Sequence, residues 1–152
     1  MMKKIILKIK LLFSLVFVRK KIIVEDIIIL STNKNLTSMI LDAFYILNEK
    51  SNICFSWIDI VKNNIKFLFI NNGHKQNLVF YKYNIVCIYD SYIKKSSSLF
   101  FASMLIRWAF IIQENLDYDD VIAKKKQLEF LSCVETNEAY EIIKYLRKYY
   151  SI

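Results

Sequence analysis

Short apolar runs separated by polar breaks dominate residues 22–52 and indicate strands and turns. The β-branched run at 22–30 predicts a strand, and the polar residues 31–35 predict the turn that follows it. The apolar segment 36–46 fits the returning strand of a hairpin, but its spacing also fits a helix. The apolar residues at helical spacing in and just after this segment are Met39, Ala43 and Leu47.

The middle of the chain combines one predicted helix with two predicted strands. Apolar residues recur every three or four positions over 55–68, which predicts an amphipathic helix that ends before Gly73. Two short runs rich in β-branched and aromatic residues, 78–83 and 85–90, predict antiparallel strands joined tightly at Asn84.

Helices are predicted for most of the remaining chain. The longest apolar stretch, 99–115, follows a serine-rich loop at 91–98 that offers an N-cap. The carboxylates of residues 117–120 stand where the dipole of the next helix, 121–134, favours negative charge. A last amphipathic helix is predicted over 139–149. The inward-facing residues expected on the last two helices are Ile122, Leu128, Phe130, Leu131, Tyr140, Ile143 and Leu146.

The order of these elements indicates an α+β domain with a mostly antiparallel sheet flanked by helices. The strands pair locally at first, and the helices that follow cover the sheet. The 152 residues suffice for one hydrophobic core and are too few for two ordinary domains. We therefore expect one domain over residues 22–152, preceded by a leader at residues 1–21.

The leader differs from the rest of the chain in charge. It carries seven basic side chains and no acidic one, whereas residues 22–152 hold 15 basic and 14 acidic side chains. Its apolar run at 11–18 is too short to cross about 30 Å of hydrocarbon, which takes about 20 residues. Four interpretations stay open: a poorly ordered extension, a helix lying on an anionic membrane surface, a signal or anchor, and an extra strand or helix of the domain.

The composition argues against catalysis and metal binding. One glycine and no proline exclude a glycine-rich phosphate loop, and a single histidine, His74, leaves little material for an imidazole-based site. The three cysteines are far apart and odd in number, which fits free thiols rather than a disulfide framework or a zinc site. We expect no catalytic residue, no metal and no cofactor. The near-neutral body is also not typical of a nucleic-acid binder.

Each remaining chemical candidate has a simpler structural interpretation. Asp117, Asp119 and Asp120 lack the spacing of a calcium loop and fit a solvated helix start. Lys124–Lys126 spread around a helical turn, as solvated residues do. Cys87, Trp57 and Trp108 fit core positions.

The predicted helix at 99–115 is apolar on more than one side. Such a helix must be buried by something, either by its own domain or by the domain on one face and a partner protein on another. The candidate partner-binding residues are Leu99, Phe101, Leu105, Trp108 and Ile112.

Two stretches resemble the longin-type small subunits of vesicle coats. Residues 25–45 are similar to that family's opening hairpin, a short apolar strand ending in leucine and followed by a polar turn. Residues 77–90 are similar to its central pair of strands, and the long helix from Leu99 and the acidic turn and helix at 117–135 follow at the expected separation. Over residues 24–135 the chain resembles the zeta subunit of the coatomer most, and the sigma subunits of clathrin-adaptor complexes next.

The resemblance implies a longin-like (profilin-like) fold and a non-catalytic function in protein transport between the endoplasmic reticulum and the Golgi. It implies a large coat or adaptor subunit as the partner, in the cytoplasm and at the surface of Golgi and coated-vesicle membranes. Two alternatives stay open. One is a small helical interaction protein, such as a viral Bcl-2-like protein, and the other is a membrane-associated protein held by residues 5–18.

Overall fold

A computed structural model of the chain describes residues 20–31, 36–51, 55–71, 77–89, 96–117 and 120–151. These residues have the predicted α+β architecture, with a five-stranded sheet and helices packed against it. The strands are β1 (Lys20–Val24), β2 (Ile27–Ser31), β3 (Phe67–Asn71), β4 (Leu78–Phe80) and β5 (Ile85–Tyr89). The helices are α1 (Thr37–Glu49), α2 (Trp57–Asn64), α3 (Ser98–Gln113), α4 (Val121–Ser132) and α5 (Asn137–Tyr150).

The sheet is mixed, with the strand order β1-β2-β3-β5-β4. β1–β2 and β4–β5 are antiparallel, whereas β2–β3 and β3–β5 are parallel. The prediction of a mostly antiparallel sheet is therefore wrong. The reason is the connection from β2 to β3: two helices, α1 and α2, stand between these strands and provide the crossover that parallel neighbours need.

The first apolar run forms a hairpin rather than the single strand predicted for residues 22–30. Glu25 and Asp26 interrupt it with φ angles of 48° and 64°, and positive φ at both central residues is what a tight two-residue hairpin turn requires. β1 begins at Lys20, so the predicted boundary between leader and domain falls inside this strand.

Residues 36–46 were compatible with a returning strand or with a helix, and the structure shows the helix α1. The prediction of a returning strand is therefore wrong. α1 buries four residues on one face. These residues are Ile40, Ala43, Phe44 and Leu47. The helix predicted over 55–68 is present but ends at Asn64, and Leu68 belongs to β3. Gly73, the predicted helix stop, lies outside the described residues.

The remaining elements agree closely with their predictions. β4 and β5 are antiparallel and joined through Asn84, whose φ of 56° is left-handed. The Ser97 hydroxyl caps α3 by accepting from the backbone N–H of Phe100 at 3.2 Å. The Asp120 carboxylate caps α4 by accepting from the N–H of Ile122 at 2.6 Å. Nowhere in the described ranges is there a helix with the length and apolarity that a bilayer crossing demands.

One face of the sheet, here called the helix-side face, forms a single core with all five described helices. It consists of alternate residues of the three central strands, Ile27, Ile29, Leu68, Ile70, Val86 and Ile88. The predicted core positions of Trp57 and Trp108 are confirmed, since their exposed fractions are 3% and 0%. Trp57 packs edge-on against Phe130, with 5.4 Å between the ring centroids, which joins α2 to α4.

The inward faces of α4 and α5 agree only in part with the sequence. Phe130, Leu131 and Leu146 are buried as predicted, and Leu128 and Ile143 are partly buried. Ile122 and Tyr140 are exposed, which contradicts the prediction. The buried face of each helix passes instead through the adjacent alanine, since Ala123 and Ala139 are 0% and 1% exposed.

Candidate functional site

The face of the sheet opposite the helices is apolar and is the strongest candidate for a functional surface. We call it the outer face. The register places the side chains of neighbouring strands in rows across it. None of its residues belongs to the core that joins the sheet to the described helices. An apolar sheet face without a helical layer calls for an explanation, since soluble domains rarely leave one open.

The row nearer the β1–β2 turn contains only apolar residues, and each of them is at least partly exposed. It crosses all five strands and is here called the isoleucine row: Ile23, Ile28, Phe67, Ile85 and Phe80. Ile23 is 62% exposed and Phe67 is 39% exposed, while the other three are partly buried. These five side chains form one apolar row that runs from one edge of the sheet to the other.

The neighbouring row on the same face is buried at its centre. It consists of Lys21, Leu30, Phe69, Cys87 and Leu78 and is here called the cysteine row. Phe69 is 3% exposed and Cys87 is 1% exposed. The predicted buried position of Cys87 is thus confirmed. Burial raises the pKa of its thiol from 9.0 to about 12, because the thiolate would lose its hydration there.

The raised pKa predicts a pH dependence of stability. The folded chain holds the Cys87 proton to higher pH than the unfolded chain does, so the stabilisation is complete below pH 9 and is lost as the pH rises towards 12. We expect the free energy of unfolding of the unmodified chain to fall, relative to Cys87→Ala, by up to about 1.4 kcal/mol per pH unit in that window. Urea unfolding at pH 8 to 10.5 measures the two slopes. Cys133→Ala, at an exposed thiol, is the control that should keep most of the slope.

The residues predicted to bind a partner lie inside the chain's own core. Leu99, Phe101, Leu105, Trp108 and Ile112 are between 0% and 8% exposed. α3 packs against α1, α2 and α4, so the apolar character that suggested a partner is already satisfied within the chain. In this structure a partner reaches those five side chains only by displacing a neighbouring helix.

A buried polar network inside the helical layer was missed in the sequence. Arg107 of α3 is 4% exposed, and its guanidinium Nη1 donates to the Tyr150 hydroxyl at 3.0 Å. That hydroxyl donates to Oε1 of Gln127 at 2.6 Å, and Nε2 of Gln127 donates to the Ser103 hydroxyl at 2.9 Å. The sequence contained a sign of this network, because Arg107 is the only charged residue of a mainly apolar helix. Because these hydrogen bonds join side chains of three helices, the network is structural: it fixes α3, α4 and α5 together.

The other chemical candidates form no site in the described part of the chain. Asp120 caps α4, as expected for a helix start. Lys126 pairs with Glu129 at 2.7 Å, and Lys124 Nζ lies 5.0 Å from the centre of the Tyr150 ring. No cluster of three or more His, Cys, Asp or Glu side chains within those ranges is arranged to hold a metal ion. His74 and Asp119 lie outside them.

An open cavity of about 450 Å³ lies between β4 and the end of α3. Its polar lining is Asn77 and Asp117, and the Asn77 side-chain oxygen already accepts from the backbone N–H of Tyr89 at 2.9 Å. The described residues that line this cavity include neither a nucleophile–base pair nor a cationic side chain.

Comparison with known proteins gives no information on function, so the outer face is the feature from which a function is inferred. No family model, no curated protein and no solved structure matches the chain.

Proposed function

We propose that the chain is a non-catalytic subunit of a larger protein assembly and binds its partner through the isoleucine row. The specific form of the proposal follows the sequence resemblance: a longin-like small subunit of a vesicle coat, with a large coat or adaptor subunit as the partner. In that form the chain acts in the cytoplasm and at the surface of Golgi and coated-vesicle membranes, in transport between the endoplasmic reticulum and the Golgi.

The observation that carries the proposal is the continuity of the isoleucine row across the sheet. Isolated exposed apolar residues are ordinary, but contiguous apolar patches of this kind mark protein interaction sites. Ile23 and Phe67 are the most exposed members of the row, and aromatic residues such as Phe67 are enriched in interfaces. The patch is apolar from one sheet edge to the other, which suits a hydrophobic segment of a protein partner better than a charged ligand.

Different observations support partner binding through the isoleucine row and membership of a vesicle coat. The exposure of the isoleucine row supports a partner-binding surface. The coat form depends on the sequence resemblance, and the parallel pairings of β2, β3 and β5 depart from the mostly antiparallel sheet that the order of elements predicted. The experiment must therefore test two points separately: whether the isoleucine row binds a partner, and whether that partner is a coat subunit.

Affinity capture of the tagged full-length chain from its native cells, followed by mass spectrometry, tests both forms. We expect stoichiometric recovery of a large coat or adaptor subunit with the unmodified chain, and at least a tenfold loss of that subunit with Ile23→Asp or Phe67→Asp. Ile122→Asp is the matched control, since Ile122 is 53% exposed on α4 and belongs to neither row. Circular dichroism of each variant checks that the fold is retained.

The outcomes separate the two forms. If the captured partner is a different large protein that both Ile23→Asp and Phe67→Asp lose, the vesicle-coat function is overturned and the isoleucine row remains the binding surface. If all variants recover the same partner, the isoleucine row is not the binding surface. Recovery of membrane proteins alone, unaffected by the row variants, would overturn both and favour the membrane-associated alternative held by residues 5–18.

A further inference from the structure

The outward side of α5 carries two exposed tyrosines that do not belong to the core. Tyr145 is 60% exposed and Tyr149 is 71% exposed, and they stand about one helical turn apart. Their rings are stacked, with 6.2 Å between the centroids and 13° between the planes. The fully buried residues of α5 are Ala139 and Leu146, so the packing of the helix does not account for the two exposed rings.

The same half of α5 is cationic. Residues 142–152 contain three basic side chains and no acidic one, and Lys144, Arg147 and Lys148 are all exposed. Lys144 and Lys148 are four residues apart on the helix, a spacing at which like charges destabilise it. The helix dipole favours the two cations of the last turn, Arg147 and Lys148, but explains neither Lys144 nor the exposed tyrosines.

The tyrosines and lysines of this half of α5 form one surface, here called the tyrosine–lysine face: Lys144, Tyr145, Lys148 and Tyr149. The first half of α4 adjoins it, because the Tyr150 hydroxyl donates to Gln127 of α4 at 2.6 Å. The Tyr150 ring has Tyr149 edge-on at 5.7 Å between centroids, and Lys124 Nζ of α4 lies 5.0 Å from its centre. A further cation therefore stands at the margin of the face, on the neighbouring helix.

The chemistry of the tyrosine–lysine face fits the surface of an anionic membrane. Each lysine near a leaflet with anionic lipid strengthens partitioning about fivefold. Tyrosine is enriched at the level of the lipid headgroups, because its ring is apolar and its hydroxyl is polar. The face has no aliphatic residue, which suits contact with headgroups rather than insertion into hydrocarbon. A nucleic acid fits less well, since residues 22–152 hold 15 basic and 14 acidic side chains.

We propose that the tyrosine–lysine face binds anionic lipid headgroups and holds the chain directly against a membrane surface. This inference goes beyond the partner proposed above, because that partner uses the isoleucine row of the sheet. Ile23→Asp should therefore leave vesicle binding unchanged, and substitutions in the tyrosine–lysine face should leave the capture of the protein partner unchanged. Either proposal can fail without the other.

A dye placed beside the tyrosine–lysine face of the full-length chain tests where the membrane binds. Cys54→Ser and Cys87→Ala remove two native thiols. A nitrobenzoxadiazole dye is then attached to Ser151→Cys in the presence of Cys133→Ser, or to native Cys133, which is exposed at the opposite end of the α4–α5 pair. We expect phosphatidylcholine vesicles with phosphatidylserine to raise the emission at least twofold at position 151 and to leave it unchanged at position 133.

Cosedimentation of the full-length chain with the same vesicles measures the contribution of the cations. Lys144→Gln with Lys148→Gln should weaken binding at least tenfold, because two charges near the leaflet are removed. Lys62→Gln with Lys66→Gln is the matched control, since these lysines are also four residues apart and lie on and directly after α2. The control should leave binding unchanged, and circular dichroism checks the fold of both variants.

The same assay measures the contribution of the exposed rings. Tyr145→Ala with Tyr149→Ala should weaken binding at least fivefold without a change in the circular dichroism spectrum. Tyr45→Ala is the matched control, because Tyr45 is 66% exposed on α1, outside the tyrosine–lysine face.

Three results would overturn the inference. The first is cosedimentation while the emission at position 151 stays unchanged, which makes another part of the chain the membrane contact. The second is equal binding by the face variants, their controls and the unmodified chain. The third is a response at position 151 to a single-stranded oligonucleotide or to polyglutamate but not to the vesicles, which makes a nucleic acid or an acidic protein the occupant.

Discussion

Trp108→Ala is expected to lower the free energy of unfolding by about 3–5 kcal/mol, the usual cost of removing a large aromatic side chain from a core. Trp108 is fully buried in α3, and its ring packs edge-on against Phe101 with 6.3 Å between centroids. The loss combines the hydrophobic transfer of the indole with the cavity left between helices that pack on several sides of α3. Urea unfolding followed by far-UV circular dichroism measures it.

Two comparisons make this result specific to the buried position. Tyr149→Ala removes an aromatic side chain that is 71% exposed, and we expect a change within about 0.5 kcal/mol. Trp108→Phe keeps an aromatic ring and removes an indole N–H that has no hydrogen-bond partner among the described residues, so its cost should stay below about 1.5 kcal/mol. A loss below about 1 kcal/mol for Trp108→Ala contradicts the full burial of Trp108 between α3 and its neighbouring helices.

Tyr150→Phe is expected to cost about 1–3 kcal/mol, although it removes a single oxygen atom. The Tyr150 hydroxyl accepts from Arg107 and donates to Gln127, so its loss leaves a buried guanidinium and a buried amide each with one partner fewer. The ring itself stays and keeps its contact with the guanidinium, whose carbon lies 5.2 Å from the ring centre. The measured difference therefore reports the hydrogen bonds rather than the packing.

A double-mutant cycle with Gln127→Leu distinguishes a coupled network from separate contacts. We expect the combined variant to be more stable than the sum of the two single losses predicts, by about 0.5–3 kcal/mol, because the two groups satisfy each other. Tyr145→Phe, at a side chain that is 60% exposed, is the matched control and should be neutral. Additive losses in the cycle contradict a network.

Elements with local signals could be predicted from the sequence. α3 and α4 each have an N-cap residue, Ser97 and Asp120, directly before an apolar segment, and both caps are present in the structure. The β1–β2 hairpin was missed because its turn is Glu25–Asp26, which lacks the glycine or asparagine that usually marks positive φ. The acidic pair inside a β-branched run was the only available sign of it.

Elements that depend on distant parts of the chain could not be predicted in the same way. Residues 36–46 fit both a strand and a helix, and the packing of Phe44 and Leu47 in the helical core decides between them. Likewise the apolar character of α3 shows that it is buried, but not whether its own domain or a partner buries it. The two rows of the outer face appear only once the strand register is known, since their members are scattered over residues 21–87.

The two edges of the sheet determine how another polypeptide can approach it. An unpaired edge strand is a template for intermolecular strand addition, and proteins limit this with short strands and with lysine. β4 has only three residues and passes at once into a 3₁₀ turn, and β1 carries the exposed Lys21. These features disfavour strand addition at both edges, which favours association of a second protein through side chains rather than through the backbone.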